Sequence, residues 1–141
     1  MRLRTITALA VLLTLSSAQA LAGEGDAEYR EHTMDAIGGH MQAMVDILRQ
    51  KVPHTAHLGL HADAIADLSS IADTLFPAGS EGGDALPAIW EKPDDFAERL
   101  ATFRSAADKL QTAVATDTDV GPAFQGLGQA CKGCHDNYRA E

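Results

Sequence analysis

Apolar residues recur in steps of three and four along four separate stretches of this chain. The first stripe runs Met34, Ile37, Met41, Met44, Leu48, and the second Leu58, His61, Ile65, Leu68, Ala72, Leu75. The third is Phe96, Leu100, Phe103, Ala107, Leu110, and the last Phe124, Leu127, Cys131, Cys134, Tyr138. An α-helix turns once in about 3.6 residues, so each pattern keeps its side chains on one helical face. Four such faces bury one another well in an antiparallel four-helix bundle with shallow crossing angles. No strand-like alternation, internal repeat or low-complexity tract competes with this reading. The expected fold class is all-α.

The connections divide the chain at the same places. Lys51-Val52-Pro53 breaks the first pair of helices, because proline lacks the backbone donor and clashes with the preceding turn. Pro77 to Trp90 is a longer crossover containing Gly79, Gly82, Gly83 and Pro87, with Trp90 as an apolar plug where it meets the bundle. Pro93 suits a first helical position, and Asp94 and Asp95 complement the positive end of the helix that follows. Gly121-Pro122 marks the start of the last helix.

That last stripe contains the chain's only two cysteines, in the run Cys131-Lys132-Gly133-Cys134-His135. A C-x-x-C-H run reads as covalent attachment of a c-type haem. Two thiols one helical turn apart can each form a thioether with a haem vinyl group, and the next residue, His135, offers a ring nitrogen to the iron. Three rivals fit less well. A dithiol redox pair belongs beside a βαβ pattern, which is missing here. A structural zinc site needs a second ligand pair. A disulfide closing so short a loop gains little chain entropy and leaves His135 without a role.

The N-terminus suits that chemistry. Arg2 and Arg4 precede a short apolar stretch from Ile6 to Leu15, and Ala18-Gln19-Ala20 is a small-x-small cleavage pattern. Residues 1–20 read as a cleaved secretory signal peptide, too short for a membrane span, with cleavage after Ala22 as the alternative. In a bacterium the destination is the periplasm. Residues 21–141 then form one domain. The whole chain has a formal charge of −9, and loss of Arg2 and Arg4 leaves the mature part at −11. Such a domain repels nucleic acid and anionic lipid and steers towards a basic protein surface. Neither nucleic-acid binding nor membrane insertion of the mature chain is expected.

With His135 on one face of a haem, any second protein ligand must come from upstream. The candidates are Met34, Met41 and Met44, which share the inward face of the first stripe, and His32, His40, His54, His57 and His61. A thioether ligand raises the reduction potential and makes a low-spin electron carrier. Methionines at helical spacing equally serve as ordinary core filler. His54, His57 and His61 have a spacing that suits a metal, whereas their place beside a helix start suits solvated or capping roles.

Several segments together resemble the class II c-type cytochromes, comprising cytochrome c′ and its low-spin relatives of the cytochrome c-556 kind. Tyr29-Arg30-Glu31-His32-Thr33-Met34 is similar to that family's opening segment, and Glu81-Gly82-Gly83-Asp84 with Ile89-Trp90 to its crossover. Cys131-Lys132-Gly133-Cys134-His135-Asp136-Asn137-Tyr138-Arg139 is similar to its ending. The resemblance implies an up-down four-helix bundle with haem c, one per chain, on the C-terminal helix. Cys131 and Cys134 would be the thioether residues and His135 the proximal ligand. Arg30 would lie near the haem propionates, where a guanidinium can grip a carboxylate in a fork; the alternative is a plain surface charge. Glu31 and Asp84 match haem-contacting positions. Arg139 matches a basic proximal residue, or serves the negative end of the last helix.

Met34 falls where c-556-like members place their distal ligand and where many cytochromes c′ have leucine. Leu75-Phe76-Pro77-Ala78-Gly79-Ser80 resembles the low-spin group. Two functions follow from the resemblance. One is a periplasmic electron carrier with His135 and Met34 on the iron and a weakly docking redox partner protein. The other is a five-coordinate protein that binds nitric oxide or carbon monoxide. An enzyme is not expected, because the first stripe offers only thioethers and alkyl groups. Family members often form homodimers through their first two helices, although the faces opposite these stripes show no clear second apolar seam.

Overall fold

The computed structural model describes the backbone of residues 7–141 and the side chains of residues 23–141. The expected leader, residues 1–20, therefore lies outside the described side chains, and residues 1–6 lie outside the described residues altogether. Four long helices dominate: α1 (Thr7–Leu48), α2 (Leu58–Ser70), α4 (Pro93–Ala115) and α5 (Val120–Tyr138), with the single-turn α3 (Ala88–Glu91) ahead of α4. Among the described residues there is no strand, only isolated bridges joining Gly82 to Ala85 and Ala85 to Arg139. In sequence order, α1 packs on α2, α2 on α4 and α4 on α5. The protein is a four-helix bundle, as the four stripes require.

The end of α1 agrees with the sequence expectation and the end of α2 differs from it. α1 stops at Leu48, before Pro53. Gln50 adopts a left-handed φ of 58°, Lys51 N donates to Asp46 O at 2.9 Å, and Gln50 N donates to Ile47 O at 2.9 Å. This is a Schellman cap made without glycine. α4 ends the same way, with Asp117 at φ 50° and Thr118 N donating to Ala113 O at 2.9 Å. The second stripe, meanwhile, is not one continuous helix. α2 ends at Ser70, and Ala72–Leu75 forms a tighter 3₁₀ turn. Ser69, Ser70 and Thr74 each turn their hydroxyl back onto the carbonyl three residues earlier, at 2.6–2.7 Å. Those bonds compete with the regular helical ladder. α4 begins at Pro93 with Asp94 and Asp95 in its first turn.

Ile37, Met44, Ile65, Phe103, Leu110 and Leu127 meet in the main core. A smaller cluster of Ile89, Phe96 and Tyr138 closes one end. There Phe96 packs edge-on to Phe76 and to Tyr138, with ring centroids 4.7 and 5.0 Å apart. The crossover is tied to the end of α5, with Leu86 N donating to Tyr138 O at 3.0 Å and Ala140 N to Asp84 O at 2.8 Å.

Candidate functional site

A cleft of about 600 Å³ opens between α1 and α5. α1 contributes Arg30, Glu31, Met34, Ile37 and Met41, while Phe76, Asp84 and Ile89 come from the crossover and α3. α4 adds Phe96, Leu100 and Phe103, α5 adds Cys131, Cys134, His135 and Tyr138, and Arg139 follows just past its end. Phe96, Leu100 and Phe103 were legible as a core stripe but not as a cleft wall. Phe76, one residue past the second stripe, carried no periodic signal.

On the α5 wall both cysteines are free and half-buried. Burial pushes both thiols up, Cys134 to about 11. A dithiol redox pair needs at least one depressed thiol, so the environment opposes that rival. His135 is pushed below its ordinary value by burial and then by the Arg139 charge, which keeps a neutral ring nitrogen available. Neighbouring bonds hold this turn of helix. Tyr138 Oη donates to the Asp95 carboxylate, Asn137 Nδ2 donates to Gly133 O at 3.1 Å, and Lys132 pairs with Asp136 at 2.6 Å.

On the α1 wall, Met34 and Met41 are half-buried and line the cleft. Met44 is fully buried in the main core, which removes it as a ligand candidate. None of His32, His40, His54, His57 and His61 lines the cleft. His54 and His57 precede helical turns but make no side-chain cap hydrogen bond. They are exposed and stack on each other, ring centroids 5.0 Å apart. Of eight upstream candidates, two thioethers remain.

Arg30 is not a surface charge; it is 3% exposed. Nη1 donates to Leu75 O at 3.2 Å and Ser80 Oγ at 3.1 Å, and Nη2 to Ser80 O at 3.0 Å and Gly82 O at 3.1 Å. Its guanidinium also lies over Phe76 and Trp90, 5.2 and 5.8 Å from their ring centroids. The Trp90 indole donates to Pro77 O at 3.2 Å. Arg30 thus borders the cleft and clamps the crossover, with both Nη atoms already engaged. Glu31 and Asp84 line the cleft, and Asp84 accepts from Arg139 Nη2 at 3.1 Å.

Apolar walls, two protonated thiols and a neutral imidazole on one side, with thioethers on the other, fit a flat apolar macrocycle with a soft-ligand metal at its centre. Residues 26–139 match the Cytochrome C' family model. The chain belongs to that family. Members of the cytochrome c′ family hold haem c covalently, and the single C-x-x-C-H run of this chain provides for one such group. Cytochrome c-554 of Cereibacter sphaeroides is 38% identical over 97% of this chain and 98% of its own length. Cytochrome c-556 of Agrobacterium fabrum is 38% identical over 99% and 97%. A nitric oxide complex of a cytochrome c prime variant from Alcaligenes xylosoxidans superposes with a TM-score of 0.79 at 28% identity, covering 84% of this chain and 97% of that one. Among the described residues, no helix of this family member is long and apolar enough to cross a membrane.

Proposed function

We propose that the chain is a periplasmic one-electron carrier, exported by a cleaved leader at residues 1–20. Cys131 and Cys134 would hold haem c covalently, and His135 and Met34 would bind its iron. Bound haem c supplies reversible exchange of one electron at iron. The observation that carries the reading is that Met34 and His135 line one cleft from different helices, α1 and α5. Met41 lines it as well, and Met34 is preferred because it occupies the distal place in the family-like opening segment.

The chain's residues do the remaining work. Ile37, Phe76, Ile89, Phe96, Leu100 and Phe103 exclude water from the cleft, and burial of an iron site is one of the levers on its potential. Arg30 holds the crossover rim in place. The net negative charge steers a basic redox partner into a small transient contact. Among the described residues, Tyr29 on α1 and Leu60 on α2 are the exposed large apolar side chains, which suits a homodimer through those helices.

A second reading has support of its own. The Alcaligenes protein of the same fold is a nitric oxide complex, and an unligated Met34 would leave this chain a gas-binding protein. The test compares Met34→Leu and Met41→Leu. Met34→Leu is expected to turn low-spin iron high-spin and abolish the sulfur-to-iron charge-transfer band, while Met41→Leu leaves both unchanged. The reverse pattern would make Met41 the ligand, and two unchanged spectra would mean that neither methionine binds iron.

A further inference from the structure

His40 on α1 and His61 on α2 meet across the seam between those helices, Nδ1 to Nδ1 at 2.9 Å. Their ring centroids are 5.2 Å apart and their planes tilted by 56°. Neither ring lines the haem cleft, so the cofactor does not account for the pair. In the metal-free pair one Nδ1 carries the shared proton and the other accepts it. The same separation suits two nitrogens on adjacent corners of one metal ion. Bonds of about 2.0 Å at a right angle set the nitrogens about 2.8 Å apart, and a tetrahedral angle sets them about 3.3 Å apart.

We propose that His40 and His61 form a two-imidazole site for a divalent transition cation of the imidazole-seeking kind, Ni²⁺, Cu²⁺ or Zn²⁺, clasping α1 to α2. Burial, then the neighbouring His40, pushes the His61 imidazole below its ordinary value, which favours the neutral ligating form. The proton balance is simple. The donor ring moves its proton from Nδ1 to Nε2, both rings turn so that their Nδ1 lone pairs converge on the cation, and no proton leaves when both rings start neutral. Water fills the other positions, because both rings are partly exposed and no third histidine, cysteine or carboxylate among the described residues completes a cluster.

The test is calorimetric titration of the haem-loaded protein with NiCl₂. One Ni²⁺ per chain is expected, with His40→Gln or His61→Gln weakening binding at least about tenfold. The His54→Gln, His57→Gln double variant should leave it unchanged. Nickel-edge X-ray absorption on the unaltered protein should count two imidazole nitrogens, which keeps the test independent of how the variants fold. No saturable binding into the millimolar range would overturn the proposal, as would affinity that survives loss of His40 and His61 or vanishes with the His54, His57 pair. The pair would then be only a hydrogen bond joining two helices.

Discussion

A Cβ on Gly83 would lie 1.7 Å from Glu31 Oε1. The crossover therefore brings bare backbone against a carboxylate of α1 at the cleft rim, and it does so at a φ of 56°, where an L side chain is strained. Gly83→Ala combines that strain with displacement of Glu31. We expect a loss of about 1–3 kcal/mol in denaturant unfolding of the haem-loaded protein. Gly79→Ala has a φ of 87° and open space around its Cβ, so it reports backbone strain without any displacement of Glu31. The Gly83→Ala loss should shrink when Glu31→Ala is added, and an unchanged loss in the double variant would contradict the close approach.

Arg30→Lys should cost about 2–4 kcal/mol, because an ammonium cannot span the four acceptors that the guanidinium reaches across Leu75, Ser80 and Gly82. The damage should be local. Amide hydrogen exchange is expected to rise in residues 77–83 while the cores of α4 and α5 keep their protection. Uniform exchange across the bundle would mean that Arg30 is not a clamp on the crossover.

His61 gives stability a pH dependence of known sign. Its proton affinity is lowered in the folded chain by burial and then by His40. The unfolded chain thus binds the proton more tightly, and stability falls as pH drops through the ordinary histidine value of 6.5 towards the folded one. Above that value the neutral form contributes fully. The melting temperature of the unaltered protein should fall more steeply between about pH 7 and 5 than that of His61→Gln. Parallel slopes would contradict it.

The sequence made the bundle legible because each long helix has a one-sided apolar stripe, and made the α5 wall legible because two cysteines and a histidine sit in one short run. It did not show where α2 would stop. Ser69, Ser70 and Thr74 turn their hydroxyls onto local carbonyls around that point, bonds that hydrophobic spacing does not encode. Nor did it show that Arg30 would be buried, since its four acceptors are supplied by residues 45 to 52 positions away. Met34, Met41 and Met44 look alike along a stripe, and only the packed helices put the first two on the cleft wall and Met44 wholly in the core. His61 sat on an inward stripe, but its partner His40 lies on another helix, and one-dimensional spacing cannot pair them.

The proposed electron carrier requires both Met34 and His135 to bind the haem iron. The most direct measurement is the optical spectrum of the reduced, haem-loaded protein before and after carbon monoxide is added. Sharp low-spin bands that resist the gas are the predicted result. A high-spin spectrum that shifts promptly on mixing would contradict it and leave the distal face of the cleft open to gases.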